Sequence, residues 1–283
     1  MSTSVIVNAD DFGFSAGVTD AILDSHRRGI LTSTTLMCTM PDAERAASMA
    51  KELPGLGVGI HLCLTQGTPK SPHVKLIASP SMHGRSASLD QSVPSLIRKV
   101  QFSRAARDEA LQEWRAQIEW ALAAGIKPTH LDSHKHIHHW PALGKIAIEL
   151  AKQYNIGAIR CAREIRLDDL ACGMGYRVLS RLAGRLACAA EAAGIATTDW
   201  FYGLAATGNF SEEHWLAIIK KLPAGIGEIM VHPGRVDGLP MGSTRLVSQR
   251  ELEWRGITAP AVVRRLRDHG IELKNYSHLT PRP

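Results

Sequence analysis

The chain has 283 residues, 45% of them apolar, and a formal charge of +6. That is enough for one large domain or two small ones with an ordinary core, and no apolar run is long enough to span a bilayer. The basic residues are scattered, which argues against nucleic-acid binding and leaves only a peripheral contact with anionic lipid open.

Strand-like and helix-like segments alternate along the chain. Val5–Ala9 reads as a strand and Ser15–Arg28 as a helix, with Ser15 placed to cap it and Gly29 to end it. Leu31–Cys38 is a second strand, a helix follows Pro41-Asp42, and Gly57–Leu64 is a third strand. Residues 66–104 break the rhythm. They are rich in Ser, Pro and Gly, and a loop that long in a compact domain is either disordered or a lid. Residues 105–124 are helical, His130–Ser133 begins a strand, and Ala142–Tyr154 is a helix. Gly157–Cys161, Thr197–Tyr202, Glu228–His232 and Ile271–Tyr276 read as strands, with helices at Gly173–Ala193, Ser211–Leu222 and Ala259–His269 between them.

This alternation implies a parallel sheet with helical crossovers. Asp10-Asp11-Phe12-Gly13 follows the first strand where a dinucleotide-binding fold would carry a glycine fingerprint. The expected architecture is therefore a single-domain α/β fold, an irregular (β/α) TIM-like barrel. The first strand pattern starts near Ser4, with no room before it for a secretory leader. None of the five cysteines forms a C-x-x-C pair, so a reducing cytoplasm is expected.

The unusual polar residues share a location. Asp10 and Asp11 end the first strand, and two adjacent carboxylates resist burial unless something neutralises them. His61 lies in the third strand. Five histidines fall within residues 130–139, and alternation would put His130, Asp132, His134, His136 and His138 on one side while the strand lasts. His232 follows the late strand. In a parallel α/β fold the strand C-terminal ends form one rim, which brings Asp10, Asp11, His61, His134 and His232 together. One carboxylate with two imidazoles suits a divalent metal, and a second carboxylate beside it can act as a base.

The stretches VNADDFG (7–13), GILTSTTLM (29–37), VGIHLCLTQGTP (58–69), PTHLDSHKHIHHWP (128–141) and MVHPG (230–234) resemble the YdjC-like carbohydrate deacetylases. That family includes chitooligosaccharide deacetylase and a hopanoid-biosynthesis-associated branch. The resemblance implies one barrel domain over 1–283 and hydrolysis of an N-acetyl group on a sugar with a divalent metal, by family habit Mg2+. It implies Asp11, His61 and His134 as metal ligands, Asp10 as the base and His232 near the reacting centre. Imidazole-rich sites also suit Zn2+ or another transition metal. Lys70–Ser88 departs from the family in being polar and Ser/Pro-rich, which leaves the exact sugar open.

In the mechanism this suggests, His232 or a histidine of the 136–138 group protonates the leaving amine, and Asp132 orients a ligand histidine. Trp140, Trp200 and Tyr202 are candidates for stacking on a sugar face. A glycosylated hopanoid-type lipid is the alternative substrate. A metal-dependent phosphoesterase, with Arg160, Arg163 and Arg166 near the anion, or a non-catalytic sugar-binding protein is the alternative function. The expected partner is an acetylated amino sugar, with no nucleic acid, and a homodimer is left open.

Overall fold

The computed structural model describes every residue except 1, 82–83, 90–91, 171–172, 238, 240–243 and 282–283. The strands are β1 (Thr3–Phe12), β2 (Ser33–Leu36), β3 (Gly57–Leu62), β4 (Ser79–Ser81), β5 (Gly84–Ser88), β6 (Leu131–Ser133), β7 (Trp200–Tyr202), β8 (Gly225–Val231) and β9 (Glu272–Lys274). The helices are α1 (Ala16–Arg28), α2 (Ala43–Ala50), α3 (Val93–Phe102), α4 (Arg104–Ala123), α5 (Pro141–Gln153), α6 (Met174–Ala192), α7 (Glu212–Ile219), α8 (Ser248–Thr258) and α9 (Pro260–Asp268).

The main sheet is parallel in the order β6-β3-β2-β1-β8-β7. β1 lies at its centre and is buried along nearly its whole length, as a strand covered on both sides must be. β8 pairs with one edge of β1, from Thr3 with Gly225 to Ala9 with Val231. On the other edge β9 pairs with Ser4–Ile6 and β2 with Asn8–Phe12.

The gap between β6 and β7 is spanned by residues 158–165. Leu131 donates its N–H to Ala158 and accepts one from Arg160, and Phe201 exchanges similar bonds with Arg163 and Ile165. The strand expected at Gly157–Cys161 is thus reduced to single bridges, Leu131 with Ile159 and Ala158 with Ala196. These bridges complete an irregular barrel of one domain, and they carry Arg160 inside it.

Two helices lie where the sequence pattern showed none, α3 inside the 66–104 segment and α8 before α9. The described part of 66–104 is anchored and not a free loop. The N–H groups of Lys70 and Ser71 donate to Glu113 on α4, and those of Lys75, Leu76 and Ile77 to Glu109. Val74, Ile77 and Leu89 are buried in the core. Among the described residues Cys38, Cys63, Cys161 and Cys188 are free thiols; Cys172 lies outside them. No described helix is long and apolar enough to cross a membrane.

Candidate active site

A change of backbone conformation lets the adjacent aspartates diverge. Asp11 has φ 68°, in the left-handed region, and the β1–β2 register slips between Ala9 and Phe12. Such a bulge re-aims neighbouring side chains. Asp10 turns to Arg160, and Asp11 to Arg250 on α8.

Arg160 is fully buried and serves as the central cation. Its Nη1 and Nη2 donate to both oxygens of Asp10 at 2.8 and 2.7 Å. Its Nε and Nη2 donate to Glu228 Oε1 at 2.9 and 2.6 Å. Nη1 also lies 2.6 Å from Asp132 Oδ2. Burial alone would raise the Asp10 carboxyl, but Arg160 and then His61 outweigh it and hold Asp10 ionised far below the usual carboxylate range. The same balance applies at Asp11, where Arg250 and then His232 lower the carboxyl against burial. Glu228 goes the other way: burial outweighs Arg160 and pushes it up to about 7.

His61, in β3, donates from Nδ1 to Asp132 Oδ1 at 2.8 Å. That bond turns Nε2 toward Asp11 Oδ1 at 3.7 Å and Asp10 Oδ2 at 4.0 Å. Burial disfavours the charged ring, yet Asp132, Asp10 and Asp11 together raise it to about 9. So much negative charge around one ring nitrogen is an environment for a cation. His134 follows β6 with its ring 5.8 Å from that of His61 and its Nδ1 paired with Thr65 Oγ1 at 2.7 Å. Burial holds His134 neutral, with its pKa lowered to about 3.

Ligating atoms of Asp10, His61 and Asp132 lie within 4.8 Å of one another, a buried Asp–His–Asp group with the composition and spacing to bind a metal ion. Arg160 already engages both of its carboxylates. His61 Nε2 also reaches Asp11 Oδ1 at 3.7 Å, but the expected set of Asp11, His61 and His134 does not form such a group among the described residues.

The expected alternation of histidines stops at Ser133. Lys135 and His136 take left-handed conformations, φ 57° and 53°, inside a 3-10 turn over His134–His139. His138 therefore points inward. It accepts from Ser133 Oγ at 2.6 Å and donates from Nε2 to the Arg160 carbonyl at 2.9 Å, fixing the backbone that carries the guanidinium. His136 packs edge-on to Phe201 and parallel to His139. His232 sits just beyond β8 near Asp10 and Asp11, with its pKa lowered chiefly by burial and Nδ1 buried without a partner. Trp200 is not part of this group; it is buried against Gly227, where a Cβ would meet its ring at 2.0 Å. Tyr202 Oη bonds Asp168 at 2.5 Å and His214 at 2.9 Å.

Sequence reasoning missed the partners that hold the site. Arg250 donates to Asp11 Oδ2 at 2.5 Å, and Glu253, one turn on in α8, accepts the N–H of His232. Glu228 and Tyr276 lie behind Arg160. A lone Glu within the apolar Gly225–Val231 run was the visible signal for Glu228. An Arg and a Glu three apart near the C-terminus offered a weaker one for α8.

The chain matches the YdjC-like protein family over residues 4–268. It is 33% identical over 276 residues to a carbohydrate deacetylase of Brevibacillus brevis, covering 97% of this chain and 99% of that one. It is 32% identical over 275 residues to a carbohydrate deacetylase of Geobacillus stearothermophilus, covering 96% of each. A solved structure from Enterococcus faecalis, of a protein named as a candidate cellobiose-phosphate cleavage protein, superposes with a TM-score of 0.75 at 26% identity over 98% of both chains. With its strands, its rim of carboxylates and histidines and its relatives in agreement, the chain belongs to the YdjC-like family.

Proposed function

We propose that this protein is a divalent-metal-dependent hydrolase that removes an N-acetyl group from an amino sugar. One observation carries the reading. Asp132 holds His61 so that Nε2 faces Asp11, with His134 alongside. A carboxylate on the far nitrogen of a histidine is how proteins orient a metal-ligating imidazole. In this reading Asp11, His61 and His134 hold the cation. Family resemblance favours Mg2+, and the two imidazoles also suit Zn2+ or another transition metal. A cation bound there would polarise the acetyl carbonyl and acidify a water.

The chain's own groups do the rest. Asp10, fixed by Arg160 and by the Asn8 amide at 3.0 Å, takes a proton from the attacking water. The proton that Asp10 takes from the water passes through His232 to the leaving amine, so that the base is regenerated, and the His232 backbone is held by Glu253. The sugar comes from the names of the relatives. The Arg160 guanidinium is occupied by carboxylates, so it is not free to bind the phosphate of a phosphoesterase substrate. The 66–104 segment leaves the rim directly after His61 and is read as its cover. The free thiols fit a reducing cytoplasm.

The test is acetate release from N-acetylated mono- and oligosaccharides and an N-acetylated glycolipid, each with Mg2+, Zn2+ and Co2+. Release of acetate that chelation abolishes is the expected result. No release from any substrate with any metal would end the reading.

Asp10→Asn is expected to keep the metal and lose roughly 10²–10⁴-fold in kcat, the span of general-base catalysis. One feature favours exchanging the two roles: Asp10 is a weak base under its arginine, while His232 is neutral with a free ring nitrogen. A loss below about tenfold in Asp10→Asn, beside a loss of about 10²-fold or more in His232→Gln, would assign the base to His232.

A further inference from the structure

Beside the Nε edge of the Arg160 guanidinium, part of the barrel interior is filled by a residue of the C-terminal segment. Tyr276 follows β9 in a short 3-10 turn and is buried. Its ring stacks on His130, with centroids 3.6 Å apart and planes within 8°. His130 in turn occupies the space over Gly59, where a Cβ would meet it at 2.4 Å. The Tyr276 hydroxyl donates to Glu228 Oε2, while Glu228 Oε1 takes both Nε and Nη2 of Arg160. Nη2 and Nη1 of the same guanidinium then hold Asp10. Every polar atom of this relay is buried, so no water can replace a missing member without rearrangement.

We propose that Tyr276 and Glu228 are positioning residues for the reaction, setting the plane of the Arg160 guanidinium and through it the orientation of Asp10. This rests on the deacetylase reading above. Glu228 accepts on one oxygen from Arg160 and on the other from Tyr276, so its carboxylate cannot rotate while the phenol holds it. Loss of the phenolic proton donor frees that rotation, and Arg160 follows. A displacement of about 1 Å at a reacting group costs up to about 10²-fold in rate.

The experiment compares Tyr276→Phe, Glu228→Gln and the double variant with wild type. Tyr276→Phe keeps the ring on His130, so the chain folds. Its kcat is expected to fall about 10–100-fold with KM and bound metal unchanged. The double variant should lose no more than Glu228→Gln alone, because the two act in one relay. Tyr154→Phe removes a hydroxyl bonded to Glu119 on the surface and should leave kcat as it is. A Tyr276→Phe protein with wild-type kcat, or losses that multiply in the double variant, would overturn the proposal. If wild type itself releases no acetate, the deacetylase reading fails separately. The crystal structure of Tyr276→Phe then decides: displacement of Arg160 from its two-bond contact with Asp10 supports the relay, and an unmoved pair refutes it.

Discussion

Replacing His61 or His134 with alanine is expected to cut acetate release by about 10³-fold or more and to strip the bound metal. A catalytic cation supplies several kcal/mol of transition-state stabilisation, and each 1.4 kcal/mol is tenfold in rate. His61 carries the larger risk to the fold. It is the imidazole that faces Asp10, Asp11 and Asp132 together, and without it three buried carboxylates lose a counter-charge. His134 is the cleaner probe, because it is neutral and its Nδ1 bonds Thr65 and, more weakly, Cys63. Metal content of the purified variants separates the two candidate ligand sets. Asp132→Asn should retain metal with affinity about 10–100-fold lower, as expected for a group that orients a ligand. Full metal occupancy in His134→Ala, with metal absent from Asp132→Asn, would move the site to the Asp10–His61–Asp132 group.

Arg160→Met should be the most destabilising single change at the site. The variant keeps the volume of the side chain and removes the charge that Asp10, Asp132 and Glu228 share. Taking one partner from a buried ion network costs about 3–5 kcal/mol, because the carboxylates left behind stay desolvated and unpaired. For a chain of this size that lowers Tm by roughly 5–8 °C. Activity should fall below detection, because Asp10 loses both hydrogen bonds from the guanidinium and keeps only the one from Asn8. Arg160→Lys should be intermediate in Tm yet nearly as inactive. An ammonium restores the charge but cannot give two parallel bonds to Asp10 while reaching Glu228. Calorimetry of the three proteins tests this, and an Arg160→Met variant with the wild-type Tm would contradict the network as described.

Much of this was determined by the sequence on its own. The β-branched run before Asp10, the apolar strand around His61 and the strand before His232 mark parallel strands by local pattern. Parallel strands place their C-terminal ends on one rim whatever the details of closure. That rule alone gathers Asp10, Asp11, His61, His134 and His232. The sequence also shows that such carboxylates and imidazoles need counter-charges.

Which groups supply those charges was decided only by tertiary structure. Local periodicity reports which residues are buried against an apolar core, and it fails where the buried face is itself charged. α8 is the clear instance: its inward residues include Arg250 and Glu253, so no apolar stripe marks it as a helix. The histidine alternation fails after Ser133 because His138 turns inward to bond the Arg160 carbonyl, a partner 22 residues on. Trp200 reads as a stacking platform in sequence, yet Gly227 on the neighbouring strand leaves the cavity that takes its ring. Arg160 meets Asp10 across 150 residues and Glu228 across 68. A buried charge is satisfied by whatever closure of the barrel brings within about 3 Å of it, and no spacing along the chain encodes that distance.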